Sequence, residues 1–206
     1  MSSTIRIDSL AIVALPPQLA GASKRIAKRR RRPWFVLDRR RYVNVVAFFH
    51  HPPFSSGPHG GATVEREAAT LRSKYMPLFR RHHVRLLLAG HEHLFEHWVE
   101  RYRDSSGTYR IDEVVTGGGG APLYAYRGEP SLTDYVRGAA GDHVAVEHLV
   151  RPSADPGSNP FHYVVITVDG SAIQVQVVGV DWGRGFAPYR SANAALSDPP
   201  KPPPNQ

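Results

Sequence analysis

The chain has no cysteine among its 206 residues, so disulfides and thiolate metal sites are excluded and any metal must be held by nitrogen and oxygen. It also lacks any apolar run near the roughly 20 residues that a membrane helix requires. The stretch "SLAIVAL", Ser9–Leu15, is short, follows Arg6 and Asp8, and reads as a buried strand rather than a signal peptide. No export signal and no internal repeat is visible, and the compartment stays undetermined. Acidic residues are few, 18 Asp and Glu against 26 Lys and Arg, for a formal charge of +8. The imbalance concentrates in "KRIAKRRRRPWFVLDRRR", Lys24–Arg41, with ten basic residues against one Asp. Such a run is either a solvated face or a patch for phosphate-rich partners. The absence of an aromatic stacking platform or a nucleic-acid motif beside it favours the solvated face.

What is present in quantity is apolar residues, 41%, enough to bury a core as one domain or part of a larger one, with 18 Gly and 18 Pro implying many loops. Histidine is unevenly placed. Eight of the eleven fall between His50 and His97. They cluster in "HHPPFSSGPHG", His50–Gly60, and "AGHEHLFEHW", Ala89–Trp98.

The organisation around them is legible. "VNVVAFF", Val43–Phe49, is a β-branched apolar run stopped by His-His-Pro-Pro and predicts a buried strand. Val64, Ala68, Leu71, Tyr75 and Leu78 predict one stripe of a helix over Thr63–Arg81, with acidic residues in its first turn and Arg80 and Arg81 in its last. Pro77 interrupts that pattern and predicts a kink or shortened final turn. "VRLLLA", Val84–Ala89, predicts a second buried strand. Both histidine loops then follow the carboxyl ends of strands joined by a helix, the edge where α/β sheets gather ligands. Further on, Tyr109–Gly120 reads as a strand entering a glycine loop. Residues 121–160 read as irregular, and Phe161–Val180 as a hairpin turning at Asp169-Gly170. The proline-rich end, "SDPPKPPPNQ", reads as an extended tail.

On a helix, His91 and His93 would point about 200° apart and could not meet one ion. Just past a strand end, side chains two residues apart lean to one side, and neutral imidazole is the commonest metal ligand. Alone, His-x-His is a weak signal. His50 strengthens it, since it leaves its strand at the same predicted edge, with Pro52 and Pro53 stiffening the backbone behind it. His51, one residue on, is expected to point away as a structural or exposed histidine.

"VAFFHHPPFSSGPHG", followed after a helix by "PLFRRHHVRLLLAGHEHLFEHW", resembles the C-terminal half of the calcineurin-like metallophosphoesterases, nearest the purple acid phosphatase-like branch. The resemblance covers about Tyr42 to Gly120, more loosely to Val180. It implies an α/β (α+β) fold, a four-layer sandwich of two mixed sheets flanked by helices, here without its N-terminal portion. It divides the chain into an N-terminal segment, residues 1–41, the phosphoesterase portion, 42–182, and a proline-rich tail, 183–206. Carried over by motif, His50, His91 and His93 are the metal ligands and His59 meets the substrate phosphate. The implied cofactors are two divalent or trivalent ions (iron, zinc or manganese), roughly 3.5–4 Å apart, which activate water against a phosphoester. A protonated His59 would stabilise the phosphoryl oxygens or supply a proton to the leaving oxygen. Glu92, Glu96 and His97 fall outside the ligand pattern and read as structural. The Gly117–Gly120 loop reads equally as a border of the site or as a plain connection.

The family's N-terminal motifs, Asp-x-His, Gly-Asp and Asn-His, do not occur before His50, and Gly141-Asp142 lies in the wrong order. A bridging carboxylate is therefore missing. The expectation is a metallophosphoesterase hydrolase in truncated form, active or inactive on its own, whose sheets expose apolar edges unless a partner supplies the other half. The implied substrate is a phosphoester and no membrane partner is implied. The alternative is a non-catalytic module that binds nucleic acid or another polyanion through Lys24–Arg41.

Overall fold

The structure, a computed structural model, describes residues 3–7, 10–14, 42–60, 66–181 and 185–188. The basic run Lys24–Arg41 and the proline-rich tail lie outside the described residues. The chain is mixed α/β, as expected. Among the described residues, strands β1 (Ser3–Ile7), β2 (Leu10–Ala14), β3 (Asn44–Phe49), β4 (Leu86–Ala89), β5 (Phe95–Asp104), β6 (Gly107–Thr116) and β7 (Ala145–Val150) form one sheet. Its order is β1-β2-β3-β4-β6-β5-β7. Strands β2, β3, β4 and β6 run parallel to their neighbours in that series, while β1, β5 and β7 pair antiparallel. Strands β8 (Phe161–Asp169), β9 (Ala172–Asp181) and β10 (Gly185–Pro188) form a second, antiparallel sheet.

The large sheet is apolar on both faces, which is why its central strands read as unbroken hydrophobic runs. Val46, Leu86, Phe95 and Val114 face the small sheet and pack with Ile173 and Val177. Val45, Ala47, Leu87 and Val115 face the other way and pack with Met76 and Phe79 of the helical layer. Alternation along each strand delivers its side chains to both cores in turn. The edge of β3 is paired in parallel by β2, whose strand the sequence predicts.

The helical segment between β3 and β4 departs from a uniform helix at its proline. It runs as α1 (Arg66–Thr70), a π-helical turn (Leu71–Tyr75) and α2 (Met76–Arg81). The wide turn lies immediately before Pro77, whose nitrogen has no hydrogen to donate. The Met76 amide instead reaches back to the Leu71 carbonyl. One extra residue in that turn rotates everything after it. Ala68 and Leu71 are buried as expected, but beyond the turn Met76 and Phe79 are buried and Leu78 is 36% exposed.

Three elements differ from the sequence reading. The β5 strand is not anticipated. The segment 121–160 contains α3 (Thr133–Gly138) and β7. The β8–β9 turn is Gly170-Ser171, one residue later than expected, because Asp169 pairs with Ala172 and Gly170 adopts φ +55°. No helix among the described residues is long and apolar enough to cross a membrane.

Arg80 joins the helical layer to the sheet. Its guanidinium lies 2.9 Å from Glu100 and 2.7 Å from Asp142, and also donates to the Tyr135 hydroxyl. Burial pushes Glu100 above the ordinary carboxylate range, partly offset by the Tyr135 hydrogen bond and by Arg80. Removing one partner of such a pair strands the other charge. Arg80→Met should therefore lower unfolding free energy by about 3–5 kcal/mol in urea denaturation. A loss below about 1 kcal/mol would show that the pair does not secure this layer.

Candidate metal centre

Strands β3, β4 and β6 end in step. Phe49 pairs with Ala89, and Ala89 pairs with Val115. The chain therefore leaves all three strands at one edge, into His50, into Gly90-His91, and, one residue beyond Thr116, into Gly117. The Gly90 amide donates to the His50 carbonyl at 3.1 Å and stitches the first two exits together. His91 then turns at φ +65°, a left-handed conformation uncommon for a residue with a side chain.

That turn sets the His91 ring among three other imidazoles. Its Nδ1 lies 3.0 Å from His50 Nε2. Ring centroids lie 4.9 Å away for His50, 4.1 Å for His51 and 4.7 Å for His59. His51 does not point away as expected. The backbone bends at His50 and His51, past the last paired residue of β3, so strand alternation no longer applies there. One ligand atom from each of His50, His51 and His91 lies within 4.8 Å of the other two. Among the described residues this group holds imidazoles only, in keeping with the missing carboxylate motifs.

His93 sits farther round the rim. Its Nδ1 meets the Pro122 carbonyl at 3.0 Å, and its ring stacks on Tyr124 at 4.3 Å. Tyr124 also meets His59 edge-on at 5.7 Å, which links His93 back to the cluster. The structure thus gathers His50, His59 and His91 directly, whereas His93 lies outside the group whose ligand atoms converge and shares only Tyr124 with His59.

The rim rests on buried carboxylates. Glu92, fully buried, accepts the His59 backbone amide at 2.7 Å, and its second oxygen lies 3.5 Å from His59 Nδ1. A Cβ at Gly57 would come within 2.4 Å of that carboxylate, and one at Gly117 within 2.1 Å of the Glu92 carbonyl. The glycine loop therefore borders the site, and close backbone approach requires its first residue. Glu96 holds the Ser55-Ser56 turn: it accepts from Ser55 Oγ at 2.8 Å, from the Ser56 amide at 3.0 Å, and from Trp98 Nε1 at 2.5 Å. His97 reaches Asp112 at 2.7 Å, away from the rim. Glu92 and Glu96 thus brace the loops around the rim, and His97 braces the sheet. Sequence reasoning missed His51 and Tyr124; the doubled histidine was a signal for the first, and nothing local marks the second.

Burial pushes the Glu96 carboxyl up to about 7, against the hydrogen bonds from Ser55, Trp98 and Ser56. A carboxyl whose folded value is raised is stabilising relative to its ionised form only while protonated. The folded state accordingly loses stability as pH rises from the unfolded value near 4.5 through about 7. Glu96→Gln removes this titration. Across that range wild type should lose about 3 kcal/mol relative to the variant, on the scale of 1.36 kcal/mol per unit. Urea unfolding at both ends of the range checks it; parallel pH profiles would refute the assignment.

No family model and no curated protein sequence matches the chain. Among solved structures, purple acid phosphatase PPD1 from yellow lupin (Lupinus luteus) seeds is similar at 14% identity, with a TM-score of 0.49. The similarity covers 92% of this chain and 33% of that one, so the chain spans about a third of that protein's length.

Proposed function

We propose that the chain is a metal-dependent phosphoesterase whose ions are held by His50, His91 and His93, with His59 meeting the substrate phosphate. The observation that carries this reading is the convergence of His50, His59 and His91 at the ends of parallel strands, with ring centroids under 5 Å from that of His91. The donor set suits a borderline transition metal, since imidazole nitrogen is the ligand present. When bound, such ions supply Lewis-acid polarisation of a phosphoryl group and lower the pKa of a water.

The protein's own residues do the positioning. In His93, the Nδ1 hydrogen directed at Pro122 O fixes the tautomer and leaves Nε2 as the nitrogen with a lone pair, the usual arrangement of a ligating histidine. Between His50 Nε2 and His91 Nδ1, only one hydrogen fits across 3.0 Å, so a cation there displaces a proton. Glu92 anchors the His59 backbone and flanks its Nδ1, which holds the ring against His91. An imidazole N–H at that place can donate to a phosphoryl oxygen or to a leaving oxygen. Tyr124 packs between His59 and His93.

A chelator-stripped preparation should hydrolyse chromogenic phosphomonoesters or diesters only after divalent metal is restored, and His91→Ala should bring turnover to background. No turnover with any metal, together with salt-sensitive polyanion retention that survives chelator and His91→Ala, would replace this reading with the non-catalytic one.

A further inference from the structure

We propose that His51 is a third ligand to the ion at His50 and His91, so that one face of the ion is held by three imidazoles and no carboxylate. The inference rests on the reading that this rim holds metal, and adds to it both a ligand and a metal class.

Three observations support it. First, the three rings touch pairwise: centroids lie 4.8 Å apart for His50 and His51, 4.9 Å for His50 and His91, and 4.1 Å for His51 and His91. Their candidate ligand atoms fall within 4.8 Å of one another. Nitrogens at about 2.0–2.1 Å around a tetrahedral ion stand about 3.3–3.4 Å apart. The His50–His91 pair, at 3.0 Å, needs to open by only a few tenths of an ångström to admit one.

Second, the backbone behind each ring is constrained. Pro52 follows His51 and restricts it to extended conformations, while Pro52 and Pro53 are both buried. His91 is held left-handed by a chain of hydrogen bonds: Gly90 to the His50 carbonyl, Glu92 to the Gly90 carbonyl at 2.7 Å, and Leu94 to the Glu92 carbonyl at 2.8 Å. Backbone strain of this kind persists only where the surroundings over-determine it, and it clusters at ligand clamps.

Third, the donor chemistry is uniform. Carboxylate, carbonyl and water suit magnesium, calcium and manganese, whereas imidazole suits zinc, copper, iron and nickel, for which cobalt(II) serves as a coloured probe. Among the described residues the group holds three imidazoles and no carboxylate, which selects the second class. Glu92, the acid nearest in sequence, is directed instead at His59.

The test titrates the metal-free full chain with cobalt(II), read by its visible absorption and by calorimetry. His51→Ala should weaken cobalt binding by at least about tenfold, the scale that loss of an outer partner already reaches, and should change the cobalt spectrum. Magnesium should not compete. Binding and spectrum of His51→Ala identical to wild type would overturn the proposal. Because that variant can misfold, the unsubstituted chain gives a second readout. One equivalent of cobalt should shift the imidazole resonances of three histidines in proton spectra, and shifts in only two would overturn it. The hydrolase reading fails separately: tight cobalt binding through three histidines without phosphoester turnover rejects the activity and keeps this site. Metal-restored turnover with only two shifted histidines does the reverse.

Discussion

The parallel register of β3, β4 and β6 is the constraint on which the site depends. Phe49, Ala89 and Val115 lie on one line across the sheet. A slip of one residue in β4 would turn Leu87 from one core to the other and would move Gly90 and His91 away from His50. Register and site are therefore secured by the same contacts. Leu86 packs toward the small sheet and Leu87 toward the helices, so neither face tolerates exchange. The chemistry needs no separate device to bring the two histidine loops together; burial of alternate side chains does it.

Beneath the rim the core is unusually acidic. Glu92, Glu96, Glu100 and Glu113 are all buried, three of them on the face of β5 and β6 that looks toward the helices. Burial pushes Glu113 well above the ordinary carboxylate range, and the neighbouring Glu96 adds to the effect. Arg72 and Arg80 enter this layer from the helical segment, and Arg72 also donates to the Pro53 carbonyl at 2.6 Å. Desolvating so many charges costs stability unless each finds partners. The partners here are the loop groups that shape the site: the Phe54 and Ser56 amides, the Ser55 hydroxyl and the His59 amide. Buried carboxylates thus serve as anchors for a loop that has no regular secondary structure of its own.

This arrangement also explains which elements were legible in the sequence. β3, β4 and the helical segment follow simple rules, since their apolar residues recur at the period of the element that buries them. β5 does not. "FEHWVERYRD" places Glu96 and Glu100 on a buried face beside Trp98 and Tyr102, so the usual polar-outward alternation is absent and the strand hides. Leu78 was misassigned for a different reason: the π turn before Pro77 shifts helical phase, and no periodicity count contains that extra residue. Of the rim, His50, His59, His91 and His93 carried recognisable spacing. His51 escapes such a reading because strand alternation stops where the backbone bends, one residue before it. Tyr124 lies more than 25 residues from the nearest of those histidines in sequence, and long-range contacts place it there: its amide donates to the His93 carbonyl at 2.8 Å and its carbonyl accepts from Asn159 at 2.8 Å.

The rim is assembled by contacts that involve no metal. Prolines and a buried Phe54 hold the first loop, while Glu92, confined by Gly57 and Gly117, holds the second. Bringing several imidazoles to within 5 Å is unfavourable if more than one is charged, since like charges at that distance repel by about 1 kcal/mol even in water and more at a protein surface. A rim held in this way has little conformational freedom left to lose when it meets a ligand.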